Sequence, residues 1–341
     1  MSIPSQKIDA VFEGGGVKGS GLVGAVAVAE ELGYEFVNLA GTSAGAIIAG
    51  LVAAGYSTAE LKTLMDEIDY LRFKDANAIG AIPLVGPAIN LLFNKGLYKG
   101  DFLKNWMGEL LAKKGIKTFG DLVIQEYADD PQFRYKLQVV VSDISRGRLL
   151  IMPGDAKDFG INPDNLNVAL AVRMSMSIPY FYKPIIQRLP DQKKAYLVDG
   201  GILSNYPLFI LDEPGKGFHQ DWPTLGFKLV DPEEGKLHTI IGPITLLSAL
   251  FSTMMEAHDA RYIKDTDFMR TIPIPTLGVH TTEFNITPQR KEALYQSGVA
   301  TGRDFFSRWD FDSFQAHATQ MATRHRRDAV PIKAKISKPN L

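Results

Sequence analysis

The chain has 341 residues, of which 45% are hydrophobic and 22% are charged, a composition typical of a globular protein with a substantial core. Its formal net charge is -1, so no global electrostatic field indicates a nucleic-acid partner. Cysteine is absent, which excludes disulfides, thiolate metal ligands and cysteine nucleophiles.

Membrane insertion and secretion leave recognisable apolar segments, and neither kind is visible in this sequence. The first ten residues contain no apolar h-region, and no uninterrupted apolar run reaches the roughly 18 residues of a membrane span. We therefore expect a cytoplasmic protein, with peripheral contact to membranes and export without a cleaved signal as alternatives.

The first part of the chain alternates predicted strands and helices, which favours an α/β sheet with parallel strands. The first helix ends at Gly33, a residue type that commonly terminates helices. Ser57 and Glu60 have the spacing of a capping box and open a later helix. The predicted strands cover residues 8–12 and 36–40, and the predicted helices cover 21–32, 46–54 and 57–68.

Residues 77–98 are apolar but are interrupted by glycine and proline, so one regular helix is not expected there. This segment is either ordinary packing or a lid that meets lipid. Thr287-Pro288 is a strong helix start that predicts a helix to about 309. Other predicted strands cover 135–142, 148–152, 195–198 and 225–230, the first two forming a hairpin, and other helices cover 101–114, 167–176 and 239–258.

The pentapeptide Gly41-Thr42-Ser43-Ala44-Gly45 lies where a strand turns into a helix, the context of a nucleophile elbow. Glycines allow the chain to fold tightly there, which predicts that the Ser43 hydroxyl is exposed at the tip above a helix N-terminus. The alternative is a glycine-rich helix start in which Ser43 only caps the helix.

A glycine-rich loop follows the first strand and comprises Gly14, Gly15, Gly16, Val17, Lys18 and Gly19. Its amides can converge on an anion, either a phosphate or the oxyanion of acyl transfer. Gly14, Gly16 and Gly19 fit the dinucleotide spacing, but that use expects an acid at the end of the second strand. The nearest acids, Glu30, Glu31 and Glu35, precede that strand or begin it. Lys18 either adds positive charge or decorates the surface.

A serine nucleophile needs a base, and the best candidate is Asp199, which precedes Gly200 and Gly201 at a predicted strand end. Burial would raise its pKa toward neutrality. The alternative is an aspartate that caps its own turn. None of the histidines lies in a glycine-rich turn or at an evident strand end; they are His219, His238, His258, His280, His317 and His325.

Taken in order, the glycine loop, the serine pentapeptide and Asp199-Gly200-Gly201 resemble the signature blocks of patatin-like phospholipases. The segment Arg173-Met174-Ser175-Met176-Ser177-Ile178-Pro179, with Phe181 and Pro184, and the Asn205-x-Pro207 motif resemble further family blocks. The resemblance spans residues 8–212. It implies a three-layer α/β/α sandwich around a mainly parallel sheet, and lipid acyl hydrolysis of phospholipase A type without metal or cofactor.

By this resemblance Ser43 is the nucleophile, Asp199 the base, and the backbone from Gly14 to Gly19, chiefly Gly15 and Gly16, the oxyanion hole. We expect one catalytic domain over 1–323, with a helical extension over about 239–310, and a basic tail over 324–341 that is flexible or adheres to anionic membrane. The expected partner is a phospholipid or membrane surface; an activator and the oligomeric state stay open. Alternative functions are an acyltransferase or general esterase, a nucleotide-binding module, and a lipid-binding protein without turnover.

Overall fold

The structure is a computed structural model that describes residues 6–75, 95–212, 221–231, 240–242 and 265–317, with single positions 246, 249, 250, 253, 254 and 319. Three predicted features lie outside the described residues for all or most of their length. They are the apolar segment 77–98, the helix 239–258 and the basic tail 324–341.

A mixed sheet forms the centre of the molecule, with strand order β10-β9-β1-β2-β4-β8-β7. The strands from β10 to β4 run parallel, whereas β8 is antiparallel to both β4 and β7, and β5 forms the predicted hairpin with β4. The strands are β1 Gln6–Phe12, β2 Tyr34–Thr42, β3 Gly96–Tyr98, β4 Leu137–Asp143, β5 Arg148–Met152, β6 Tyr180–Tyr182, β7 Ile185–Arg188, β8 Lys194–Asp199, β9 Thr224–Val230 and β10 Thr271–Pro275.

Two helices begin at the capping residues that the sequence indicated. Ser57 accepts a hydrogen bond from the Glu60 amide and completes a capping box, and Thr287 caps the helix that begins at Pro288. The helices are α1 Gly19–Glu31, α2 Ala44–Ala53, α3 Thr58–Glu67, α4 Asp101–Lys113, α5 Val168–Ser175, α6 Asp265–Met269 and α7 Pro288–Arg308.

The two faces of the sheet carry cores of different size. In β1, Ile8, Ala10 and Phe12 face a large core formed with α1 to α5 and α7, whereas Val11 faces a smaller core on the other side. The smaller core packs beneath a short 3-10 helix, Leu208–Leu211, which belongs to the described part of the second helical layer. The predicted three-layer α/β/α architecture around a mainly parallel sheet is confirmed.

Four strands were not predicted, because they are short or have an unusual sequence. β3 and β6 form a separate two-stranded parallel sheet of three residues each, and β7 has only four residues. β10 contains Pro273 and Pro275, which remove backbone donors and are tolerated because this strand lies at the edge of the sheet. Among the described residues, no helix is long and apolar enough to cross a membrane.

Candidate active site

Ser43 occupies the turn between β2, which ends at Thr42, and α2, which begins at Ala44. Its φ of 53° lies in the left-handed region, a strained conformation for a residue with a Cβ atom. The turn can be this tight because its glycines lack side chains: a Cβ on Gly41 would lie 2.5 Å from the Gly45 backbone, and one on Gly45 would lie 2.3 Å from the Phe12 carbonyl oxygen.

The Ser43 hydroxyl donates to Asp199 Oδ2 at 2.8 Å and lies 3.4 Å from the sulfur of Met176. It makes no capping hydrogen bond to α2, so the interpretation of Ser43 as a simple helix cap is wrong. The expected exposure of the hydroxyl is also wrong, because Ser43 is only 2% exposed. Its side chain is turned inward onto Asp199 and Met176, both of which are buried.

Asp199 is the last residue of β8 and is completely buried. Its Oδ2 accepts from Ser43, and its Oδ1 accepts from the Gly201 amide at 2.9 Å, so the carboxylate holds the serine and caps its own turn at once. Burial raises the pKa of Asp199 to about 7, although the hydrogen bonds from Gly201 and Ser43 oppose that rise. A carboxyl group with this pKa is a competent proton acceptor near neutral pH.

The register of the sheet explains why two side chains so distant in sequence meet. Thr42 pairs with Val140 of β4, so Ser43 lies level with the next residue, Val141. Val141 in turn pairs with Asp199 across the antiparallel β4–β8 ladder. Ser43 and Asp199 therefore lie at the same height on opposite sides of β4. Asp199 is the last residue of β8, so that strand ends at this level, partway along β4.

The glycine loop lies beside the serine, because β1 and β2 are adjacent parallel strands. A Cβ on Gly14 would lie 3.0 Å from the Cβ of Ser43. The amides of Gly14 and Val17 donate to the carbonyl oxygens of Asn205 and Thr281.

The Lys18 amide also has a protein acceptor, the Gly15 carbonyl oxygen at 3.3 Å. Gly15 and Gly16 are therefore the loop amides to consider as anion donors. Gly16 requires glycine, since its φ is 59° and a Cβ there would lie 2.0 Å from the Thr281 carbonyl oxygen. Gly19, the last residue of the loop, begins α1.

The alternative that Lys18 is only a surface residue is wrong. It is buried, and its Cε lies 3.5 Å from the position that a Gly15 Cβ would occupy. Two of the acids weighed for a dinucleotide site have structural partners: Glu30 accepts from the Thr58 amide at 2.8 Å, and Glu31 pairs with Arg303 at 2.9 Å. Both acids lie at the C-terminal end of α1, whereas the glycine loop lies at its N-terminal end.

The sequence assigned no individual role to the residues of the segment before Asp199, which the structure packs against the site. Ser175 Oγ accepts from the Ser43 amide at 2.8 Å, and the Ser177 carbonyl oxygen accepts from the Asp199 amide at 2.9 Å. Arg173 donates to Ser177 Oγ at 2.5 Å and to the Gly100 carbonyl oxygen at 3.0 Å, and burial lowers its pKa. The resemblance of this segment to a family block was the sequence signal that could have singled out these residues. Their contacts with Ser43 and Asp199 arise only in the folded chain.

Among the described residues, no histidine belongs to the site around Ser43 and Asp199. His280 and His317 are exposed, and the other four, His219, His238, His258 and His325, lie outside the described residues. Within the described ranges, no cluster of three or more His, Asp or Glu side chains is arranged to hold a metal ion.

Comparison with known proteins identifies relatives across most of the chain. A family model described as patatin-like phospholipase matches residues 10–212, which include Ser43 and Asp199. The uncharacterized protein YqhO of Bacillus subtilis (strain 168) is 39% identical over 306 residues, covering 89% of this chain and 99% of YqhO. The uncharacterized protein R571 of Acanthamoeba polyphaga mimivirus is 25% identical over 313 residues, covering 86% of this chain and 92% of R571.

A solved structure has a similar fold. The crystal structure of VipD from Legionella pneumophila matches with a TM-score of 0.52 and 18% sequence identity, covering 92% of this chain and 68% of VipD. At this level of identity the likeness concerns the architecture alone.

Proposed function

The chain belongs to the patatin-like phospholipase family, a family of lipid hydrolases, and from this premise we propose that it is a phospholipase A-type enzyme that cleaves fatty acyl esters of phospholipids. The nucleophile is Ser43 and the base is Asp199. The observation that carries the proposal is the 2.8 Å hydrogen bond from the Ser43 hydroxyl to a completely buried carboxylate.

Acylation begins when Ser43 Oγ attacks the ester carbonyl carbon and Asp199 Oδ2 takes the hydroxyl proton. The carbonyl π electrons move to oxygen and form a tetrahedral oxyanion. When this intermediate collapses, Asp199 returns the proton to the leaving oxygen, and a lysophospholipid departs. Water then attacks the acyl-enzyme and gives its proton to Asp199, which passes it to Ser43 Oγ as the fatty acid leaves.

The oxyanion is stabilised by the amides of Gly15 and Gly16. These groups belong to the loop that lies against Ser43, and their neighbours Gly14, Val17 and Lys18 already donate to protein carbonyls. Donors that are fixed before the reaction need no reorganisation, and losing one typically costs about 3 kcal/mol of transition-state stabilisation. In this mechanism the nucleophile, the base and the donors all come from the chain, and no step calls for a metal.

The test is a panel of phospholipid vesicles assayed by mass spectrometry, with a chelator present. Wild-type protein releases fatty acid and lysophospholipid, and Ser43→Ala loses activity by at least about 10⁴-fold. Ser20→Ala is the matched control, because Ser20 is equally buried and its hydroxyl has no hydrogen-bond partner in the part of the chain that the structure describes. Full turnover by Ser43→Ala would reject the assignment, and transfer of the acyl group to added lysolipid or glycerol would identify an acyltransferase.

A further inference from the structure

Asn205 makes two hydrogen bonds to the same glycine. Its side-chain Nδ2 donates to the Gly14 carbonyl oxygen at 3.2 Å, and its backbone carbonyl oxygen accepts from the Gly14 amide at 3.1 Å. Asn205 is 94% buried, being 6% exposed, and its Oδ1 has no hydrogen-bond partner among the described residues. Among the described residues, the hydrogen bond that the Asn205 side chain makes is therefore its donation to the Gly14 carbonyl oxygen.

The position of the Gly14 carbonyl decides where the Gly15 amide points. In a planar trans peptide, the C=O and N–H groups of one unit point in opposite directions. Because Asn205 holds the Gly14 oxygen, the Gly15 N–H is directed away from Asn205. Glycine on both sides of this peptide makes rotation of the unit easy, and a rotated unit would present a carbonyl oxygen where the N–H stood.

We propose that Asn205 is a positioning residue that prevents rotation of the Gly14–Gly15 peptide and so keeps the Gly15 amide in the oxyanion hole. The next peptide is held by the backbone itself, because the Gly15 carbonyl oxygen accepts from the Lys18 amide at 3.3 Å. The Gly14 carbonyl oxygen, in contrast, accepts from the side chain of Asn205. This inference rests on the proposed function, since it assumes that the loop amides bind an oxyanion.

The segment of Ser204 and Asn205 also connects the nucleophile turn to the glycine loop. The residue before Asn205 accepts a hydrogen bond from Thr42 through its carbonyl oxygen at 3.1 Å. The segment of Ser204 and Asn205 therefore bonds to the residue before the nucleophile and to the first residue of the glycine loop. The chain that leaves the Asp199 turn thus sets the glycine loop relative to the nucleophile.

The experiment compares kcat, the inhibition constant of a trifluoromethyl ketone lipid analogue, and the affinity of an unreactive ether analogue. The ketone forms a tetrahedral oxyanion on a serine, whereas the ether measures ground-state binding. We expect Asn205→Ala to lower kcat and ketone affinity by about 10²-fold each while ether affinity changes less than about threefold. Equal losses in all three quantities, or no loss in kcat, would overturn the proposal.

Tyr206→Phe is the matched control. It removes the hydroxyl of the adjacent residue, which shares a buried 2.7 Å hydrogen bond with the Thr271 hydroxyl, and it leaves Asn205 and Gly14 unchanged. We expect all three quantities to stay within about threefold of wild type, and a Tyr206→Phe profile equal to that of Asn205→Ala would show a merely structural effect.

Asn205→Asp tests the same proposal through the pH dependence of its activity. This variant also serves if Asn205→Ala does not fold. At about pH 8 an ionised carboxylate would repel the Gly14 oxygen, whereas at about pH 5 a protonated carboxyl can donate to it. The activity of Asn205→Asp relative to wild type should therefore rise several-fold on acidification. A constant ratio would contradict the inference while leaving Ser43→Ala to decide the proposed function separately.

Discussion

Asp199 and Asp9 are both buried in the central sheet, and burial raises the pKa of each to about 7. Their surroundings differ. Asp199 accepts from the hydroxyl of Ser43 on a strained turn beside the glycine loop. Asp9 accepts from the Asn38 amide at 2.9 Å and from the indole of Trp222, at an irregularity in the β1–β2 register.

The comparison shows that a raised pKa reports burial and not function. Asp9 satisfies a backbone donor that the interrupted ladder leaves without its regular partner. Asp199 also caps a backbone amide, but its second oxygen accepts from the Ser43 hydroxyl, which in the proposed mechanism becomes the nucleophile when it loses its proton. The chemistry therefore follows from the hydroxyl next to the carboxylate, and three predictions test this distinction.

The largest expected difference is in activity. Asp199→Asn should lower kcat/KM for phospholipid hydrolysis by about 10⁴-fold, because an amide cannot accept the serine proton. Asp9→Asn should stay within about threefold of wild type, because Asp9 contacts no reacting group. Both are measured with the same vesicle assay, and a loss of similar size in Asp9→Asn would show that the two carboxylates are not functionally distinct.

In stability the two residues should behave alike. A folded-state pKa raised above the unfolded value contributes stability below about pH 4 that is lost as pH rises to about 7. Asn does not ionise, so the unfolding free energy of each Asn variant relative to wild type should increase between about pH 4 and pH 8. The size of the pKa shift sets this increase at about 2–4 kcal/mol, measured by urea denaturation at both pH values.

Asp199→Asn should show this increase in relative unfolding free energy without losing either hydrogen bond of the Asp199 side chain. Its amide oxygen can accept from Gly201, and its NH2 group can donate to Ser43. A stability difference that does not change with pH in either variant would mean that the corresponding carboxyl titrates normally in the fold.

The smallest expected effect separates the two residues in the pH profile. Asp199 must be ionised to act as a base, so kcat/KM of the wild type should fall about tenfold per unit below about pH 7. Asp9→Asn should leave that inflection in place within about 0.3 units, because the Asp199 environment is unchanged. A displaced inflection in Asp9→Asn would reveal electrostatic coupling between the two sites.

Much of the fold followed from local patterns. The boundaries of α3 and α7 depend on caps formed by Ser57 with Glu60 and by Thr287, all within one helical turn. The elbow and the glycine loop could be located because glycine and small residues cluster between a strand and a helix. β10 could not, because its two prolines suit a strand only at a sheet edge, and the edge position is a property of the assembled sheet.

The sequence by itself determined the candidate residues for the proposed chemistry: a serine between glycines, an aspartate before two glycines, and a glycine-rich loop. Only the tertiary structure decided that β8 runs antiparallel and stops level with Ser43, that both side chains are buried, and that Asn205 holds Gly14. The reason is physical. Turn and helix signals arise from residues a few positions apart, whereas strand register and burial depend on segments that meet only when the whole sheet has formed.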